Sequence, residues 1–522
     1  MRPDESRPDL AEALHRRWLT TDDARPDVVR RRHDSGRRTA RENLDDLLDA
    51  GSFVEYGGLA VAAQRARRSL DDLVASTPAD GIVGGVGRVN DGLVGSDASR
   101  CAAMSYDYTV LAGTQGITGH HKTDRLLDVV QRQRLPVVLF AEGGGGRPGD
   151  TDVAMVGGLD LTTFSRWAGL SGLVPRIGVA AGNCFAGNAA LFGMCDVTIA
   201  AAGASIGMGG PAMIEGGGLG VVAAADVGPL DAAVAAGVVD IAVADDAAAV
   251  AAARQALGYF QGPLPSGEAA DQALLRDVVP ERRRRAYDVR RVLTVLADTG
   301  SVLELRPRFA RGMVTAFARV QGRPLGILAN QPLSRAGAIT SDGADKAARF
   351  LQLCDAFDLP VLSLCDTPGI MVGPDAERTG LVRHASRLFV AGATLSVPML
   401  TVVLRRGYGL GAMAMAGGSF ANSVLTVAWP TGEFGGMGLE GAVRLGMRRE
   451  LDASTDPAER QAAFDALVAA AYERGKALST ATFAEIDDVI DPAETRGLVA
   501  AVLGAHSPSW RHRPRRRVVD TW

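Results

Sequence analysis

Short apolar runs of four or five residues alternate along this chain with stretches whose apolar positions recur every third or fourth residue. Pro136-Val137-Val138-Leu139-Phe140 and Pro360-Val361-Leu362-Ser363-Leu364 are two such runs. Each follows a segment of helical period, Lys122 to Gln131 in one case and Asp345 to Phe357 in the other. Short buried strands interleaved with amphipathic helices predict an α/β fold with sheet cores flanked by helices. Near the start, Thr39-Ala40-Arg41-Glu42 reads as a capping box ahead of Leu44, Leu47 and Leu48, so a helix opens there.

The pattern is also written twice. Lys122 and Arg125 match Lys346 and Arg349 at a spacing of 224 residues, and Leu135-Pro136-Val137-Val138 matches Leu359-Pro360-Val361-Leu362 at the same spacing. Glu142 falls on Asp366, each opening a loop rich in glycine or proline. Ala186-Gly187 falls on Leu410-Gly411. Gly51-Ser52-Phe53-Val54-Glu55 is echoed by Gly300-Ser301-Val302-Leu303-Glu304, and Gly87-Arg88-Val89 by Ala318-Arg319-Val320. A repeat this long implies two homologous domains rather than a solenoid. The expected division is an N-terminal extension at 1–27, a first domain at 28–275 and a second at 276–522. Pro263, Pro265 and Pro280 interrupt the periodicity near the join.

A length of 522 residues supports two cores of this size, and 47% apolar with 22% charged residues is ordinary for a folded soluble protein. A net charge of −4 argues against general nucleic-acid binding. The basic runs Arg30 to Arg32, Arg282 to Arg285 and Arg515 to Arg517 read first as solvated faces. The remaining readings are contacts to the phosphates of a ligand or to a partner protein. Five scattered cysteines without a close pair fit neither a zinc ribbon nor a disulfide framework. The start has no apolar leader and no long apolar span follows, which points to the cytoplasm and away from a membrane.

Glycine carries the chemistry signal. The 63 copies cluster at strand ends, at Gly143 to Gly146, Gly207 to Gly220, Gly407 to Gly411 and Gly432 to Gly441. A missing Cβ permits tight packing, and it also lets a backbone N–H approach a ligand oxygen. Side-chain catalysts are sparse: seven histidines, no metal-binding spacing and no phosphate-binding loop of the GxxxxGK[ST] type. Gly203-Ala204-Ser205-Ile206-Gly207 satisfies the hydrolase pattern GxSxG. That pattern needs a helix directly after the serine, and Met208-Gly209-Gly210-Pro211 breaks one. Gly407-Tyr408-Gly409-Leu410-Gly411-Ala412 fits a dinucleotide fingerprint with Glu433 near the ribose-binding distance, yet it lies deep in the second copy.

From roughly residue 28 to 517 the chain resembles the carboxyltransferase (β) subunits of biotin-dependent acyl-CoA carboxylases, the propionyl-, acetyl- and methylcrotonyl-CoA carboxylase group. The resemblance rests on Gly36-Arg37-Arg38-Thr39-Ala40-Arg41-Glu42 and Ala329-Asn330-Gln331-Pro332. It continues through Lys346-Ala347-Ala348-Arg349-Phe350, Asp366-Thr367-Pro368-Gly369, Trp429-Pro430-Thr431, Gly436-Met437-Gly438-Leu439-Glu440-Gly441-Ala442 and Asp487-Asp488-Val489-Ile490-Asp491-Pro492. It implies two tandem crotonase-like domains, the first for the acyl-CoA and the second for carboxybiotin, with sites between subunits of a homo-hexamer built as a trimer of dimers. It implies carboxyl transfer from carboxybiotin to the α-carbon of an acyl-CoA, with no metal.

Residue by residue, the resemblance carries an enolate oxyanion hole to Ala186 and Gly187 and a biotin oxyanion hole to Leu410 and Gly411. Substrate binding falls to Gly144, Gly145, Gly209, Gly210 and Met413, and biotin binding to Gly369, Gly436 and Gly438. Many relatives have Gly-Gly at the first hole and Gly-Ala at the second, and Met413 stands where short-chain enzymes often have an acid. The nearest string to a Met-Lys-Met biotin attachment site, Ala412-Met413-Ala414-Met415, has no lysine. The expected partner is therefore a biotinylated α subunit with biotin carboxylase and carrier domains. The alternatives are a biotin-linked acyl-CoA decarboxylase subunit and a non-catalytic scaffold of a carboxylase complex.

Overall fold

A computed structural model of the chain describes residues 7–152, 157–451, 453, 456–503, 506 and 517–522. The described residues divide into two compact units, one made of residues 7–261 with the tail 517–521, the other of residues from Gly262 onward with Trp522. The break thus precedes the expected 275–276 boundary, and residues 7–27 of the expected extension belong to the first unit. The reason is local pairing. Leu264 N–H donates to Gly322 O at 2.9 Å, Arg319 Nη1 donates to Gly262 O at 3.0 Å, and Leu275 is buried in the second unit's core. The returning tail is held in the first unit by Ser171, whose Oγ donates to Val519 O at 2.6 Å.

The first unit carries strands β1 (Val54–Glu55), β2 (Ile82–Arg88), β3 (Arg100–Tyr106), β4 (Val137–Phe140), β5 (Arg176–Ala180), β6 (Asn183–Phe185), β7 (Val197–Ala201), β8 (Ser205–Gly207) and β9 (Ile241–Val243). The second carries β10 (Leu303–Leu305), β11 (Met313–Val320), β12 (Arg323–Asn330), β13 (Val361–Thr367), β14 (Met399–Tyr408), β15 (Leu425–Ala428), β16 (Glu433–Gly435) and β17 (Asp488–Val489). The main sheets run β1-β2-β3-β4-β5-β7-β9 and β10-β11-β12-β13-β14-β15-β17. In both, the first three strands are antiparallel and the rest parallel. Ala102 pairs with Val137 and Gly326 with Val361, so the repeat spacing is kept in sheet register.

Strands covered on both faces need unbroken apolar runs, and every residue of β4, β5 and β13 is buried. The helices Ile117–Gln133 and Ser341–Ala356 precede β4 and β13. Lys122 and Lys346 each turn inward to cap two carbonyls: Ala79 O and Ile82 O in one unit, Arg306 O and Phe309 O in the other. Burial lowers the Lys122 pKa to about 8. The capping box forms as read, with Thr39 and Glu42 exchanging hydrogen bonds ahead of the helix Ala40–Leu47. The five cysteines are buried and form no disulfide. Among the described residues no helix is long and apolar enough to cross a membrane.

Candidate active site

In the first unit, β6 runs into the helix Gly187–Gly193 through Ala186, which adopts φ +50° and ψ −119°. That region is nearly closed to residues with a Cβ, and such strain concentrates where structure serves a site. Two neighbours hold the turn. Ala186 N–H donates to Gly207 O at 3.0 Å, and Gly145 sits so close that a Cβ there would lie 2.6 Å from Ala186 Cβ. The Ala186 amide is therefore already engaged, which corrects the expectation of an adjacent donor pair at 186–187. The ψ of Ala186 sets the direction of the next N–H. Gly187 N–H has no acceptor among the described residues.

The remaining first-unit glycines have distinct places. Gly145 donates to Asn188 Oδ1 at 3.0 Å, and Gly144 donates to Ala112 O at 3.1 Å and is exposed. Gly210 caps the helix Pro211–Gly216 and lies on Phe185, immediately before Ala186. Gly209 lies beside Met213. Gly145, Ala186, Gly187 and Gly210 are thus gathered about one turn, while Gly144 lies against Thr114 instead.

In the second unit, β14 leads into the helix Gly409–Met415, so Leu410 and Gly411 both lie in its first turn. Their N–H groups meet no acceptor among the described residues, as expected where a helix begins. Gly411 lies against the loop after β13, where an added Cβ would stand 2.6 Å from Gly369 Cα. Gly409, at φ +54°, lies against Gly436, whose carbonyl would be 2.6 Å from a Cβ. Gly369, Gly409, Leu410, Gly411 and Gly436 therefore form one surface. Gly438 caps the helix Leu439–Gly446, and Met413 stands 39% exposed on the same helix as Leu410.

The charged groups near these turns are engaged in structure. Glu142 is buried against Arg32, whose Nη1 donates to it at 3.0 Å. Burial still pushes its pKa up, with the arginine opposing. Asp366, fully buried, receives Arg405 at 3.1 Å and Arg406 at 2.7 Å. Glu433, raised by burial, accepts Tyr408 O–H at 2.9 Å. His120 is buried and its pKa lowered by desolvation; its Nδ1 donates to Thr163 Oγ1 at 2.9 Å, and that hydroxyl donates to Asp124 at 2.6 Å. The chemistry available at the turns is hence main-chain donation to developing negative charge.

Two motif readings are settled by the same geometry. Ser205 opens β8, is buried, and its Oγ accepts from Gly228 N–H at 3.2 Å, so no nucleophile elbow forms. A helix does follow Tyr408 in the fingerprint-like segment, but Glu433 lies on β16 beside β14 and is taken by Tyr408. Sequence reading passes over Gln115, Tyr106 and Asn188, which line or brace the first turn. Their signal is a mismatch between copies: at the 224-residue spacing they face Ile339, Asn330 and Ala412. Two hollows lie elsewhere in the second unit. A cavity of about 540 Å³ is lined by Arg311, Arg335, Asp342 and Val372, and one of about 480 Å³ by Arg283, Arg405, Glu433 and Tyr472.

Residues 31–518 match the family described as carboxyl transferase domain. The methylmalonyl-CoA carboxyltransferase 12S subunit of Propionibacterium freudenreichii subsp. shermanii is 33% identical over 504 residues, 94% of this chain and 92% of that protein. A solved transcarboxylase 12S, described as a hexamer with methylmalonyl-coenzyme A and methylmalonic acid bound, superposes with a TM-score of 0.84 at 31% identity, covering 99% of this chain and 98% of the other. A solved single-chain, multi-domain long-chain acyl-CoA carboxylase superposes with a TM-score of 0.91 at 58% identity. The likeness covers 95% of this chain and 49% of that longer one.

Proposed function

The chain belongs to the carboxyl transferase domain family, and on that premise we propose that it moves a carboxyl group from carboxybiotin to the α-carbon of a long-chain acyl-CoA. The observation that carries this is the pair of turns, one in each unit, that leave amides at Gly187 and at Leu410–Gly411 without an acceptor among the described residues. The choice of a long acyl chain follows the 58% identity to the long-chain enzyme, and apolar Met413 agrees with it.

Carboxybiotin supplies CO2 and, once decarboxylated, a nitrogen able to take the α-proton. The protein holds the charges. Gly187 N–H receives the thioester oxygen as the enolate forms, in a direction set by the strained Ala186. Leu410 and Gly411 N–H receive the ureido oxygen. One such donor is worth about 3 kcal/mol of barrier, so side-chain bases are not required. Gly144, Gly145, Gly209, Gly210 and Met413 shape the acyl-CoA side, and Gly369, Gly436 and Gly438 the biotin side. Biotin arrives on a biotinylated partner carrying the ATP-dependent half, the chain assembles as a hexamer, and the reaction takes place in the cytoplasm.

The test is a carboxylation assay with the co-purified biotinylated partner, bicarbonate and ATP over acyl-CoA thioesters from propionyl to palmitoyl. Turnover that favours the long chains is expected. No turnover at any length overturns the proposal.

A further inference from the structure

Gln115 is a buried side chain that lies against Gly187 and that the chemistry above leaves unused. Its backbone is clamped on both sides: its N–H donates to Gly145 O at 2.7 Å, and its carbonyl accepts from Arg147 N–H at 2.9 Å. Gly145 in turn abuts Ala186, so the clamp ties Gln115 to the strained turn. The side chain, 6% exposed, ends in a carboxamide whose Nε2 donates to Tyr106 Oη at 3.1 Å. The other end points at the Gly187 α-carbon so closely that a Cβ there would collide with it, with Phe164 Cζ next at 3.1 Å. No described residue donates to that end. That end faces the turn.

We propose that Gln115 is a catalytic residue, its carboxamide donating the second hydrogen bond to the thioester oxygen that Gly187 N–H receives. This rests on the acyl-CoA reading of that turn. Ala186 N–H is given to Gly207 O, so of the adjacent amides at 186 and 187 only that of Gly187 is left for an oxyanion. A half-turn of the carboxamide brings Nε2 to the Gly187 side. Tyr106, whose phenol donates as readily as it accepts, then bonds Oε1, so the anchor survives. No proton is transferred; the amide stabilises the enolate as charge builds. The second unit has Ile339 at the matching position, so the feature belongs to the acyl side alone.

The test compares the full-length chain with Gln115→Met, close in shape but without a donor. Carboxylation of palmitoyl-CoA is measured with the biotinylated partner. Binding is measured for palmitoyl-CoA and for S-hexadecyl-CoA, the thioether that lacks the carbonyl. The expected result is a kcat lower by about a hundredfold, with thioester affinity reduced and thioether affinity unchanged. Gln115→Asn, too short to reach, should give the same loss and serves if the methionine variant does not fold. A kcat within twofold of wild type, or equal weakening of both ligands, overturns the assignment. If wild type turns over no acyl-CoA, the proposed function itself falls; if wild type is active and Gln115→Met matches it, only this inference does.

Discussion

The turn after β6 and the turn after β14 occupy matching places in the repeat but solve the same problem differently. In the first unit β5 stops early, and the separate strand β6 pairs with β8, which engages the Ala186 amide and puts the left-handed backbone on an alanine. In the second unit β14 runs unbroken to Tyr408, pairs with both β13 and β16, and places the left-handed φ on Gly409. The helix therefore begins two residues earlier relative to the repeat, at 409 rather than 411, and two adjacent amides lack an acceptor among the described residues instead of one. Around the first turn stand Gln115, Tyr106 and Asn188; their matching positions in the second unit hold Ile339, Asn330 and Ala412. A duplicated scaffold can keep strand order and register while moving from one donor plus a side-chain amide to two backbone donors.

The largest expected effect is at Gly411, where any Cβ meets the Gly369 backbone, which has no rotamer to yield. Gly411→Val should cut carboxylation more than about a thousandfold while circular dichroism stays native; near-normal activity would remove the second turn from the mechanism. Asp366 compensates two guanidinium groups and Glu142 one. Asp366→Asn should therefore lower unfolding free energy in urea by about 3 kcal/mol, and Glu142→Gln by less. Equal losses would erase this difference between the units.

Gly187 meets the end of a rotatable side chain rather than a backbone, so Gly187→Ala should displace Gln115 and cost about as much as Gln115→Met. The double variant should then be no worse than either single one, whereas multiplying losses would mean the two positions act separately. The smallest effect concerns His120, which matches Ala344 in the second copy. Burial holds its folded pKa below 6.5, so the unfolded chain takes up the proton first and stability falls as pH drops below about that value. Urea unfolding at pH 7 and pH 5 should show a shallower acid loss in His120→Asn; an unchanged slope would mean that the ring titrates freely.

Much of this architecture was legible along the chain. Apolar runs such as Val137 to Phe140 must be buried strands because nothing in them tolerates water. The repeated Lys122 and Lys346 announced matching helices, and Thr39 with Glu42 marked a helix start. The glycine clusters marked points of close packing, since a Cβ at Gly145 or Gly411 would collide with its neighbours. The domain break was less visible, because pairing between Leu264 and Gly322 is a contact across sequence that no local pattern encodes.

Patterning along the chain determined two copies of an α/β unit and aligned 186–187 with 410–411, and the family resemblance made those pairs the turns of interest. Only the tertiary structure decided which of those amides is free, because an N–H is spent or spared by a partner far away in sequence: Gly207 O takes the one at Ala186, and nothing described takes those at Gly187, Leu410 and Gly411. It also brought Gln115 onto Gly187, a neighbourhood set by the packing of the Gly143–Gly146 loop between them and not by periodicity.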